Sequence, residues 1–149
     1  MDHVVVDVEI QKTIEETLGG WDATDKLGVA VACVWEYRTA RMRVYGPKDI
    51  EALQGRLLQA DRISGFNILN FDFPVIFSIN KYDWIHGIDS ARMLTTDDVC
   101  KEDPVYWLKS KLTHKCDDML RRIWQAKGLD PDRFDKTTHG GVGLDAITS

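Results

Sequence analysis

The chain has 149 residues, of which 44% are hydrophobic, and a formal net charge of −5. This length predicts one domain with a core of its own, and the charge excludes a bulk polycation, so any contact with nucleic acid has to be local or carried by a metal ion. No apolar run approaches the roughly 18 residues of a membrane span, and Cys33, Cys100 and Cys116 lack the spacing of a zinc site or a disulfide framework.

The first half of the chain predicts three strands, a helix and a fourth strand. Runs rich in valine, isoleucine and aromatic residues indicate the strands, and leucines at helical spacing behind a proline indicate the helix. The predicted elements are a strand at Val4–Ile10, a polar loop at Gln11–Lys26, strands at Leu27–Tyr37 and Arg41–Tyr45, a helix from Pro47 to about Asp61, and a strand at Ile63–Phe66.

The segment after the fourth strand is harder to assign. Asn67–Ile79 is expected to be a loop that enters a helix, because Pro74 is tolerated only in the first helical turn. Asn80–Lys101 has no consistent hydrophobic period, and we expect it to be irregular.

The last predicted helical region begins at Asp103-Pro104 and ends before Gly128. Its apolar stripe permits one continuous helix. It equally permits a break near His114 and a second helix that starts at Asp117-Asp118.

An antiparallel three-stranded meander, followed by a helix and a strand beside the first, is typical of a ribonuclease-H-like α/β fold. We therefore predict a mixed sheet flanked by helices, in one domain that covers residues 1–149.

Two acids interrupt the first strand. Asp7 and Glu9 are two residues apart, so their side chains project from one face. Mg²⁺ and Mn²⁺ prefer oxygen ligands and complete their coordination with water and substrate phosphate. A pair of such ions that cleaves a phosphodiester needs further acids. Asp72 is the best candidate, because a fourth strand parallel to the first would end beside Asp7 and Glu9.

Each acid also has a simpler interpretation. An Asp-x-Glu pair occurs by chance in many strands, and an edge strand would point both acids into water. Asp72 alone is more often a helix N-cap. The joint occurrence of Asp7, Glu9 and Asp72 at these positions favours the metal site.

The runs VDVEIQ, WDATDKLGVAVACVWEY and SGFNILNFDFPVI resemble the DEDD, or proofreading-type, 3′–5′ exonucleases, and are similar to a ribonuclease-H-like branch predicted in phages and bacteria. The first motif of that family, Asp-x-Glu, falls on Asp7 and Glu9. The second, an Asn followed by Phe-Asp at the head of a helix, falls on Asn67, Phe71 and Asp72. The resemblance covers roughly residues 1–80 and resumes more loosely at CDDMLRRIW and THGGVGLDAI.

The resemblance implies a two-metal mechanism with Mg²⁺ or Mn²⁺. Asp7, Glu9 and a fourth acid would hold the ions, and Asp72 would hold the outer ion largely through water. Asn67 and Phe71 would shape the substrate pocket, with Phe71 either stacking on a base or packing. The resemblance further implies a protein of a bacterium or a phage-infected cell that acts on a single-stranded or frayed 3′ end. The three cysteines without motif spacing indicate a reducing cytoplasm, and the lack of a long apolar run indicates no membrane span.

The third motif of the family, Tyr-x-x-x-Asp or His-x-x-x-x-Asp, has no match in the chain. Asp145 follows His139 one residue too late for it. We therefore expect a chain that is truncated relative to the family, a short relative with altered activity, or one in which His139 or Asp145 fills the gap. Asp118 matches a family acid near the site and is equally explained as a helix cap. A missing ligand would weaken ion binding and slow turnover.

Contacts with nucleic acid have several candidates. Trp21 follows the acidic strand and would either stack on a base or cover the core. Basic residues cluster in two places, where they would contact phosphates or form a solvated face. The clusters are Arg38, Arg41 and Arg43 in one place, and Lys109, Lys111, Lys115, Arg121, Arg122 and Lys127 in the other.

Three functions are compatible with this sequence. The first is a metal-dependent 3′–5′ exonuclease. The second is a structure-selective junction or flap endonuclease, because one fold supports both chemistries. The third is a catalytically inactive module that binds nucleic acid.

Overall fold

The computed structural model describes residues 1–12, 20–85 and 104–129. The strands are β1 (His3–Ile10), β2 (Val29–Glu36), β3 (Arg41–Tyr45), β4 (Arg62–Gly65) and β5 (Cys116–Asp118). The α-helices are α1 (Thr24–Leu27), α2 (Ile50–Gln59), α3 (Phe73–Ile76), α4 (Pro104–Thr113) and α5 (Met119–Ala126). Shorter turns are the 3₁₀ turns Gly20–Asp22 and Pro47–Asp49, the π-helical turn Ile68–Asp72, and helical residues 81–85.

The five strands form one mixed sheet in the order β3-β2-β1-β4-β5. β1, β2 and β3 are an antiparallel meander, and β4 pairs in parallel with both β1 and β5. The predicted α/β class and the ribonuclease-H-like arrangement of the sheet are therefore confirmed. The predicted strand Arg41–Tyr45 has the observed bounds, and the other three predicted strands agree to within one or two residues at each end.

The main core lies on one face of β1. Val4, Val6 and Val8 are buried and alternate with more exposed residues, which is the period of two that a half-buried strand requires. Leu53 and Leu57 of α2, four residues apart and so on one helical face, belong to the same buried cluster. Complete burial of one such side chain stabilises the fold by about 1.5–3 kcal/mol. The opposite face of β1 is the one that carries the two acids.

The polar loop predicted at Gln11–Lys26 is wrong at its end, because α1 forms there. Leu27 at the end of α1 is buried, and the Thr24 hydroxyl donates a hydrogen bond of 2.5 Å to the carbonyl of Ile79. These long-range contacts hold the segment against α3. A short polar sequence does not encode them.

β5 was not predicted either. The helical stripe breaks near His114, as one of the two alternatives required, with α4 ending at Thr113 and α5 beginning at Met119. Between them Cys116–Asp118 pairs with Ile63–Gly65 of β4. Three residues are too few to show a strand period, so only the pairing with β4 defines this strand.

In the described part of the chain, no helix is long and apolar enough to cross a bilayer.

Candidate functional site

The first two acids of the predicted site lie at the end of β1. Asp7 and Glu9 are both exposed, on the face opposite Val8. Across the β1–β2 pairing they lie opposite Cys33 and Val31, and the register shifts directly after Glu9. Irregularities of this kind are frequent next to active sites, since they redirect a side chain and end the regular pairing.

Asp72 reaches the same end of β1 from the other side. It is only 4% exposed, and the π-helical turn that carries it packs against β1. The Asp72 carboxyl lies near Asp7 and near the backbone amide of Val8, the residue between the two acids of the strand. β4 pairs with β1 only as far as Val5, so β4 does not cover the stretch of β1 that carries the acids. The metal site that these acids are predicted to form stays a prediction.

The electrostatics of Asp72 follow from this position. Burial is the largest cause that raises the pKa of Asp72 well above its ordinary value, and the negative charges of Asp7 and Asp118 act in the same direction. The nearby backbone amides of Asp72 and Val8 oppose the rise without cancelling it. A buried carboxyl beside like charges is typical of functional sites.

A tight connection delivers Asp72 from the end of β4. A Cβ on Gly65 would lie 2.4 Å from Ile68 Cγ2 and 2.9 Å from the Val6 carbonyl oxygen, so the close approach of β4 to β1 requires glycine here. Asn67 then has a left-handed backbone with φ of 56°, and the π-helical turn Ile68–Asp72 follows. The interpretation of Asp72 as a helix N-cap is not supported, since its side chain makes no capping hydrogen bond to α3.

Two aromatic rings pack against each other, and one of them precedes Asp72 in the chain. Phe71 precedes Asp72, is partly buried, and packs against Trp21 with 5.6 Å between ring centroids and a tilt of 59°. Trp21 is 49% exposed. The structure thus brings together two of the predicted substrate contacts, and the outer ring presents apolar surface to solvent.

Asp118, predicted as either a site acid or a helix cap, is buried at the end of β5. Its carboxylate accepts the amide of Leu120 at 3.0 Å, which is a helix cap for α5. It also accepts the amides of Asn67 at 2.8 Å and Leu69 at 3.1 Å, in the connection that leads to Asp72. The helix cap was one of the two predicted roles of Asp118. The hydrogen bonds from Asn67 and Leu69 were not predicted, because no local sequence pattern indicates them.

Asp7, Glu9 and Asp72 are the candidate metal ligands among the described residues. Within residues 1–12, 20–85 and 104–129, no three His, Cys, Asp or Glu side chains converge closely enough to hold an ion. Asp7 and Asp72 do lie within electrostatic range of each other, and the exposed Glu9 is the next acid on the same strand face. Mg²⁺ commonly uses one or two protein carboxylates, with water and substrate phosphates in the remaining positions. The donors are oxygen atoms, the kind that a hard divalent cation prefers, and the described residues do not bring three of them together.

Several basic residues predicted as phosphate contacts bind within the chain. Lys115 Nζ donates to the carbonyl of Ala60 at 2.9 Å, at the end of α2. Lys109 Nζ donates to the carbonyl of Trp84 at 2.8 Å, and Arg122 forms an ion pair with Asp117 at 3.0 Å. The helical cluster is therefore not a free cationic surface.

The two remaining accessory candidates, His139 and Asp145, lie outside the described residues. The structure therefore neither brings them to Asp72 nor separates them from it. The absence of a recognisable third motif stays a property of the sequence alone.

No protein-family model matches the chain, and a search of curated proteins found no match. The resemblance to the DEDD exonucleases therefore stays a prediction from the motifs, and the fold and the acid geometry are the observations on which a function can be proposed.

Proposed function

We propose that the protein is a metal-dependent nuclease and, as the first hypothesis, a 3′–5′ exonuclease of DNA or RNA. One observation carries the proposal: the π-helical turn that carries the buried Asp72 packs against β1 and brings its carboxyl within electrostatic range of Asp7. Burial and like charges in this position disfavour the ionised carboxylate, and a bound cation would favour it again. The ribonuclease-H-like sheet supports the proposal only in part, because a fold hosts many functions.

We assign the three acids different ligand roles according to their exposure. Asp72 is buried and would be the more rigid ligand, while Asp7 and Glu9 would reach Mg²⁺ or Mn²⁺ from the open side. When bound, such ions lower the pKa of a water and stabilise the leaving oxygen of a phosphodiester. The exposed side leaves room for that water and for the substrate phosphate.

The aromatic pair suits the end of a strand. Trp21 and Phe71 offer ring surface, which every base can contact regardless of sequence. Asn67, five residues before Asp72, offers an amide side chain on the same connection. This arrangement would hold a single-stranded or frayed 3′ end without base readout. The net charge of −5 is compatible with it, since the cation and the rings, not bulk attraction, would supply the binding.

The test is digestion of 5′-labelled single-stranded DNA and RNA with Mg²⁺ or Mn²⁺, in which an exonuclease produces a ladder of 3′-shortened products. Asp72→Asn and Glu9→Gln should slow it by more than about 100-fold, because even the partners of metal ligands contribute 10- to 100-fold. Glu51→Gln is the matched control for Glu9→Gln, since Glu51 is an exposed acid on α2 away from β1. No shortening of any end by the wild-type protein with either metal would contradict the exonuclease.

Two other results would select the alternatives. Cleavage of a branched substrate with blocked 3′ ends would indicate a junction or flap endonuclease that uses the same acids. Binding that survives EDTA, with no turnover under any divalent metal, would indicate an inactive module. The inactive module is retained because no third ligand converges on the site within the described residues.

A further inference from the structure

Asp118 connects two parts of the chain that are far apart in sequence. Its Oδ1 accepts the amides of Asn67 and Leu120, and its Oδ2 accepts the amide of Leu69. The residue is only 5% exposed. A carboxylate with three amide donors has most of its acceptor sites occupied, which leaves little capacity to coordinate an ion.

The segment that Asp118 holds needs an external support. Asn67 adopts a left-handed backbone, which asparagine tolerates better than most residues other than glycine. The π-helical turn that follows is itself a rare conformation, and π-helical insertions are frequent at functional sites. Such backbone persists only where surrounding contacts fix it. Besides Asp118, the indole of Trp84 supports the turn by donating to the Leu69 carbonyl at 2.7 Å.

We propose that Asp118 is a positioning residue for the candidate site. Its carboxylate fixes the connection from Asn67 to Leu69, and this connection continues into the turn that places Asp72 against β1, near Asp7 and Val8. The expected effect of Asp118 on catalysis rests on the proposed function. The structural role of Asp118 can be tested without any activity. Asp118 would contact neither substrate nor ion.

This role can be separated from capping of α5. In Asp118→Ser a short hydroxyl can still accept the Leu120 amide, because serine is a good N-cap residue. It is too short to reach Asn67 and Leu69 as well. The control is Asp117→Asn, which removes a carboxylate at the adjacent residue of β5. Asp117 pairs with Arg62, Ser64 and Arg122 and makes none of the three amide contacts of Asp118.

The experiment measures amide hydrogen exchange and chemical shifts of the ¹⁵N-labelled full chain. In Asp118→Ser we expect exchange of the Leu69 amide to rise about 10-fold or more, the Val8 resonance to shift, and the Leu120 amide to stay protected. In Asp117→Asn, Leu69 and Val8 should be unchanged. Where Asp118→Ser does not fold, Asp118→Asn serves instead, because its amide group would replace one acceptor oxygen and leave the Leu69 amide unpaired.

A variant in which Leu69 loses protection while Val8 is unchanged would overturn the proposal, because Asp118 would then support the turn without positioning Asp72. Unchanged Leu69 would also overturn it. If the wild-type protein is active, Asp118→Ser should lower kcat with KM nearly constant, and a change in KM alone would contradict a positioning role. If the wild-type protein is inactive, the proposed function fails and the exchange data still decide the role of Asp118.

Discussion

Arg56 forms the most extensive ion-pair network that the described residues contain. Its two terminal nitrogens donate to both oxygens of Asp2 at 2.8 Å, and its Nε donates to Glu36 at 3.2 Å. Glu36 is 4% exposed and also pairs with Arg43 at 2.8 Å. This network joins α2 to β1 and β2. We expect Arg56→Met to destabilise the protein strongly.

The magnitude follows from what the substitution leaves behind. Removing one partner of a buried pair costs about 3–5 kcal/mol. Asp2 can rehydrate, because its side chain is 16% exposed, and Glu36 keeps Arg43. We therefore expect the lower end, a loss of roughly 3 kcal/mol in the free energy of unfolding. Arg43→Met is the control, because the Arg43 side chain is 60% exposed and its pair should contribute at most about 1 kcal/mol.

The pH dependence gives the prediction a second test. The hydrogen bond from Arg56 is the main cause that lowers the pKa of Asp2 below its ordinary 3.8. The stability from this pair is therefore present above that value and is lost as the pH falls through the lower pKa of the folded state. The difference between wild type and Arg56→Met should accordingly narrow under acid conditions.

Urea unfolding followed by circular dichroism measures both effects, provided that the denaturant slope is the same in all variants. An Arg56→Met variant no less stable than Arg43→Met would refute the reasoning. A stability difference that stays constant as the carboxyl is protonated would refute the assignment to Asp2.

Three further outcomes are expected. Gly65→Ala should destabilise the protein by about 1–3 kcal/mol in urea unfolding, since its Cβ would overlap Ile68 and the Val6 carbonyl; an unchanged midpoint would mean that β4 can move away from β1. Burial raises the pKa of the Cys116 thiol from 9.0 to about 12, and the Asp118 charge adds to the rise. The stability linked to this thiol should therefore be lost as the pH rises through that range. Alkylation of the thiol under mildly alkaline conditions should be far slower in the native than in the unfolded chain. Mn²⁺ should raise the melting temperature, and EDTA should reverse the rise; an equal rise in Asp72→Asn would place the ion elsewhere.

The sequence by itself determined most of the sheet and the two segments that carry the candidate acids, which are β1 and the connection after β4. The alternation of buried and exposed residues in β1, the β-branched runs of β2 and β3 and the proline before α2 are local patterns, so they could be interpreted without long-range information. The order of these elements was sufficient to predict β4 beside β1. With the motif resemblance, it was also sufficient to select Asp7, Glu9 and Asp72.

Tertiary structure alone decided the rest, because the deciding contacts join residues that are distant in the chain. β5 is a strand only through its pairing with β4. Asp72 comes within electrostatic range of Asp7 because the π-helical turn after β4 packs against β1. Asp118 accepts amides some fifty residues away. A side chain's spacing along the sequence fixes its face on an element, whereas its partners depend on how the elements pack.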